Sequence, residues 1–469
     1  MNFQENSSHK IQKNQNEIPL INKLYVWSLI FEPMTYFSFA GSGEQIGIPF
    51  SFSKLLQILV ILYLIIKFSL FNRGELLIYF NQLKINTNFI FHVFIILFST
   101  LIGSFYLSSF DINKFGLLAD GAQFSDGILK SYYFRPFFDL FILLYYYFYF
   151  IILPLLFFKN SRAFFYLTKW TFFTIYVNLV IGYLDLFISP LIGKSLIPRH
   201  IDDDVDVGFR FHGFLGEPRD AFIYLCFSLF LVLMAKYFYF KVFKPKVITL
   251  LILAALAFTQ SGSGIFGIII GGSISFIYFL NRKSVYAIKF LLIALILAGG
   301  IIVLVNNSPR LMAYAESFSD IMSYVSSGDK IPDILLSFAV NYLPLVAMYN
   351  YFLASNFYPI LFGSGLSSSA YYNISFIGDP NFSNPHAQIT RIIFETGIVG
   401  TVFYIMFLCK PVINFIKSES KKGLYYNLLS FFVLIGSTLS QRSMLSLIIF
   451  GMVNCFINIK GTNKQMLNR

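Results

Sequence analysis

Apolar runs of about 18 to 22 residues recur along the chain, Phe52 to Phe71 and Phe89 to Tyr106 among them, and each matches the roughly 30 Å of hydrocarbon that a membrane-spanning helix must cross. A fold in water has no means of burying so many such runs. Hydrophobic residues make up 57% of the chain and charged residues only 12%, where an ordinary soluble domain carries about 25% charged. Lipid is therefore the expected solvent, and the expected fold is an all-α integral membrane protein.

The runs place about twelve spans, near 20–39, 52–71, 89–107, 137–158, 164–188, 219–240, 246–260, 262–280, 286–305, 387–408, 424–440 and 443–458. With the N-terminus inside, 23 of the 35 Lys and Arg residues fall on the inner side and 12 on the outer side, which is the positive-inside signature. The expected organisation is a cytoplasmic tail at 1–18, a nine-helix membrane part at 19–305 with an outer loop at 189–218, a large outer loop at 306–386, three last helices at 387–460, and a cytoplasmic tail at 461–469. The first 18 residues are polar and lack an apolar core, so the first span itself directs insertion. Within the outer segment, Ile334 to Leu353 is apolar but interrupted by Asn341, Pro344 and Asn350, and reads as helices at the outer interface.

The net charge of +12 is spread through short loops and forms no patch or stripe, so nucleic acid is not an expected partner. Cys226, Cys409 and Cys455 all sit in apolar runs without metal-ligand spacing, so neither a disulfide framework, a metal nor a cofactor is expected. The acidic residues are skewed the other way: only Glu5, Glu17, Glu75 and Glu419 fall clearly inside. Acids contribute little to topology, so their outward gathering, in the long outer connections, points to function there. Glu32, Asp139 and Asp185 lie toward the outer ends of their spans and point the same way.

Two constellations concentrate the chemistry. The first runs from Pro198 to Asp220 and packs Arg199, Arg210, His212, Glu217, Arg219 and a run of aspartates against the mouth of the next span. Pro218 suits a first helical turn, with Glu217 near the cap. The helix N-terminus together with Arg210 and Arg219 suits a diphosphate; the plainer alternative is that Arg219 snorkels to lipid headgroups. In the second, Asn384-Pro385-His386 opens a span, and Arg391 and Glu395 follow it with i,i+4 spacing on one face. Charges at that depth pair with each other or line a wet cavity. His386 has the chemistry to accept a hydroxyl proton, and an interfacial hydrogen-bonding histidine is the alternative.

Among weaker features, the D-x-D spacing within Asp202 to Asp206 reads as a solvated acidic turn, and the glycines at 262, 264, 267, 271 and 272 read as close helix packing in lipid.

Read together, Arg210-Phe-His-Gly-Phe-Leu-Gly-Glu-Pro218, Phe362-Gly-Ser-Gly-Leu366, Asn384-Pro-His386 and Glu395-x-Gly397-x-x-Gly400, in this order and with this spacing, resemble the bacterial O-antigen polymerase and O-antigen ligase superfamily. The resemblance covers the layout of most of the chain, and in residues only about 205–225 and 360–400. It implies a metal-independent glycosyl transfer at the periplasmic face of the inner membrane, with undecaprenyl-diphosphate-linked glycans and membrane lipids as partners and a chain-length regulator as a further one. It also implies that His386 activates the acceptor and that Arg210 contacts the donor diphosphate, with a looser carry-over to Glu217 and Arg219. His212, Arg199, Arg391 and Glu395 are expected in support. The chain departs from the ligase-like pattern at Thr259 to Gly264, which lacks an arginine, and at Ile334 to Leu353, which lacks arginine and tryptophan. A polymerase of O-antigen or capsule repeat units is the expectation, with a ligase or a flippase of lipid-linked sugars as alternatives.

Overall fold

A computed structural model describes residues 18–34, 51–67, 86–107, 135–158, 161–193, 196–197, 210–215, 218–235, 244–280, 357–369, 388–419 and 424–440, with scattered positions at 242, 316–327 and 447–451. Its elements are helical throughout: α1 (Leu20–Phe31), α2 (Phe52–Ile66), α3 (Thr87–Leu107), α4 (Arg135–Tyr147), α5 (Leu153–Phe157), α6 (Ser161–Ile192), α7 (Pro218–Met234), α8 (Pro245–Phe258), α9 (Gly262–Leu280), α10 (Phe357–Phe362), α11 (Gln388–Glu419) and α12 (Leu424–Ser440). Three stretches, Pro136–Phe157, Arg162–Ile192 and Gln388–Lys410, are long and apolar enough to cross a membrane, and several shorter helices are equally apolar. Many large apolar side chains, such as Phe141, Phe187 and Leu250, point outward, as expected where the surroundings are lipid. The expected span at 286–305 and the interfacial helices at 334–353 lie outside the described residues, as does most of 443–458.

Local sequence accounts for the irregular places. Of the expected first span, α1 covers Leu20–Phe31 with Pro33 just beyond it, and residues 35–39 lie outside the described residues. Between α4 and α5 the chain widens into a π turn, Phe148–Ile152. Pro154 is the reason: it has no N–H for the carbonyl of Phe150, and its ring crowds that turn. Gly451 packs directly against the Phe150 carbonyl.

Packed helix pairs build the core. α9 lies antiparallel along α12, with Gly267 against the Ser437 backbone and Gly271 against that of Phe432 and Val433. The expected glycine packing is therefore present, although Gly272 faces open space. α7 covers α12 through Phe230 and Phe431, and α3 runs along α11 through Phe91–Phe403 and Phe89–Phe407. α1 meets α6 through Trp27 and Trp170, whose rings lie 4.5 Å apart, and the Tyr25 hydroxyl donates to the Tyr149 carbonyl at 2.7 Å. Asn22 at the start of α1 reaches the Phe157 carbonyl at the end of α5.

These contacts fix which helix ends lie together. Glu32, just past α1, binds Ser53, Lys54 and Gln57 at the start of α2, and Gln57 accepts from Tyr145 of α4. Asp139 of α4 meets Ser367 and Arg391, Gly103 of α3 abuts Ser364, and Phe211 donates to the Phe258 carbonyl at the end of α8. One end of the bundle therefore gathers the carboxylates of Glu32, Asp139, Asp185 and Glu395. Among the described residues the opposite end carries cations instead, including Lys23, Lys67, Arg162, Lys244, Lys246 and Lys410.

Candidate functional site

At the acidic end two clusters form. The first joins the end of α6 to the segment before α7. Asp185 accepts from Ser189 Oγ at 2.8 Å, Leu196 N at 2.6 Å and Ile197 N at 3.3 Å through Oδ1, while Oδ2 faces His212 Nε2 at 3.0 Å. His212 is fully buried, and its Nδ1 donates to the Gly213 carbonyl at 3.0 Å. Both ring nitrogens thus face groups that accept, and neither is left to take a proton from a substrate hydroxyl. Asn178 of α6 closes the turn by accepting from Phe214 N at 2.9 Å. This net holds Arg210, itself buried, two residues from His212. α7 then starts at Pro218 as its sequence dictates, with half-buried Arg219 in its first turn. Two guanidinium groups and a helix N-terminus are thereby set along one short stretch, which suits an anion of high charge.

The second cluster is built on a broken helix. α11 carries a non-helical residue at Gly397, with φ 68° and ψ −172°, a conformation open in practice only to glycine. The break releases backbone carbonyls on its N-terminal side, and the Phe362-Gly-Ser-Gly-Leu366 segment supplies their donors. Ser364 N binds the Phe394 carbonyl at 2.9 Å and Gly365 N the Glu395 carbonyl at 3.0 Å. Irregular backbone at membrane depth is tolerated where protein satisfies it in this way.

The same segment then grips the Glu395 side chain. Oε1 accepts from Ser367 N at 3.1 Å, Ser369 Oγ at 3.1 Å and Arg391 Nε at 2.9 Å. The expected i,i+4 pair of Arg391 and Glu395 is therefore present. Arg391 also lies 4.0 Å from Asp139, which accepts from Ser367 Oγ at 2.5 Å. Beside this cluster is a cavity of about 220 Å³ between α3, α4 and α11, lined by Asp139, Arg391, Glu395 and Gln388 together with Tyr146, Tyr147, Tyr404 and His92. His92 is buried, with Nδ1 on the Gly400 carbonyl at 3.2 Å and Nε2 on the Tyr147 hydroxyl at 2.9 Å.

Of the residues singled out from sequence, Arg210, His212 and Arg219 thus belong to one cluster, and Arg391 and Glu395 to the other. Arg199, Glu217 and His386 lie outside the described residues. Sequence reasoning missed His92, the serines at 367 and 369, and the partners of Asp139. The one available signal was the Glu395-x-Gly397 pattern, where a glycine follows a buried acid inside an apolar run.

No family model matches the chain, and no curated protein matches it.

Proposed function

We propose that this protein polymerises undecaprenyl-diphosphate-linked oligosaccharide repeat units, of O-antigen or capsule type, at the periplasmic face of the bacterial inner membrane. In this reading about twelve helices cross the membrane, both termini are cytoplasmic, and the acidic end is periplasmic. The observation that carries it is the gathering of both motif-bearing segments, with their arginines and carboxylates, at the end of the bundle opposite the lysine-rich one. A transporter would instead be expected to keep its ionisable groups near the midplane.

Arg210, Arg219 and the N-terminus of α7 hold the donor diphosphate and neutralise the charge that builds on it as the glycosidic C1–O bond to phosphate breaks. The acceptor hydroxyl oxygen forms the new bond to C1, and its proton passes to His386 or Glu217. His212 stays with Asp185 and positions Arg210. The support also includes the resemblance of Arg210 to Pro218 and of Phe362 to Gly400 to the polymerase and ligase superfamily.

The test is a gel of surface glycan and of undecaprenyl-linked glycan from a deletion strain. Lipid A-core bearing a single repeat unit is the expected outcome. Bare core with long polymer stranded on undecaprenyl diphosphate makes the protein a ligase instead, and an unchanged ladder overturns the glycan assignment. Arg210→Ala or His386→Ala is expected to abolish polymer while leaving membrane insertion intact.

A further inference from the structure

The cavity beside the broken helix is not used by the diphosphate chemistry above, and its lining argues against an anion. Two carboxylates, Asp139 and Glu395, face one guanidinium, Arg391, for a formal charge of minus one. A diphosphate entering there meets net repulsion. A divalent metal is equally ill suited, because such ions demand six or more oxygen ligands or dedicated nitrogen and sulfur donors, whereas these carboxylates are engaged by Arg391, Ser367 and Ser369.

What remains is a hydroxyl-rich neutral group. The volume of about 220 Å³ falls below the roughly 300 Å³ at which drug-sized pockets begin, which suits a group the size of one sugar ring. Carboxylates held in place by charged and backbone donors are preorganised to accept hydroxyl protons. Tyr146, Tyr147 and Tyr404 complete the lining with aromatic surface.

We infer that this cavity binds a single sugar ring, with hydroxyls on Asp139, Glu395 and Gln388. As the seat of the acceptor's first sugar it rests on the polymerase reading; as a saccharide site it stands apart from it. Donor and acceptor then bind to surfaces of opposite charge, which keeps the diphosphate out of the acceptor position.

The experiment is saturation-transfer NMR on the purified full-length protein in detergent. The probes are the methyl glycosides of every monosaccharide found by composition of the strain's surface glycan, with ethanolamine and inorganic diphosphate as rivals. At least one glycoside is expected to bind with a Kd of about 1–10 mM. That affinity is expected to fall about tenfold in Asp139→Asn and in Gln388→Ala, two changes that leave the Gly397 break and its backbone bonds alone, and to persist in Arg210→Ala. The inference is overturned if no glycoside binds to folded protein, if both cavity variants bind as well as the parent, or if ethanolamine displaces the glycoside and thereby reveals a cation site. A deletion strain with an unchanged glycan ladder, alongside intact glycoside binding, defeats the polymerase reading and leaves the saccharide site standing.

Discussion

The two clusters at the acidic end start from the same ingredients, a carboxylate near a helix end and a nitrogen-bearing side chain beside it, and finish as opposites. Asp185 is engaged by two backbone amides, a serine and a fully buried histidine. Asp139 and Glu395 share one arginine and border a cavity. The difference lies in the backbone. Where backbone amides take one oxygen of an acid and a buried imidazole faces the other, the charge becomes an internal tie; where a helix breaks and a loop binds one oxygen beside a cavity, the acid stays near open space. Burial alone does not separate the two cases, since Glu395 and Asp185 are both nearly inaccessible.

The sharpest way to break this comparison is Asp185→Ala. It removes the acceptor shared by His212, Ser189 and the Leu196 and Ile197 amides, and stability is expected to fall by about 3–5 kcal/mol at about 1 kcal/mol per bond, read as loss of monodisperse protein on heating in detergent. A variant that melts like the parent would remove the distinction. Gly397→Ala comes next, because an added methyl meets the Leu361 carbonyl in a strained backbone conformation, at about 2–3 kcal/mol. Protease cleavage within 361–369 is expected to accelerate as that segment detaches. Glu395→Gln keeps an acceptor for Ser367 and Ser369 but loses the charged bond to Arg391, for roughly 1–2 kcal/mol on the same melting assay. Asp139→Asn is expected to cost under about 1 kcal/mol, since its side chain is 23% exposed. Its mark should be on glycan chain length instead, and a large stability loss there would make it a tie like Asp185.

The membrane character and most helix positions were legible because hydropathy is a local property: α9 and α12 fall at 262–280 and 424–440 as their apolar runs predict. The i,i+4 pair of Arg391 and Glu395 was legible for the same reason. Pairings across the fold were not. Nothing near Asp139 in sequence names Ser367, 228 residues away, and His92 sits in an apolar run yet finds its polar partners on α4 and α11. The break in α11 was hidden because a glycine in a membrane helix usually signals packing, and its φ is decided by a loop some thirty residues upstream.

That break has a mechanical consequence. The first turns of α11 are stitched by Ser364, Gly365, Ser367 and Ser369 to the preceding segment, while Gly397 interrupts their continuity with the remainder of the helix. Arg391 and Glu395 therefore ride on a short stub held by the loop after α10, so a push on that loop reaches the charged pair on the near side of the break in the helix.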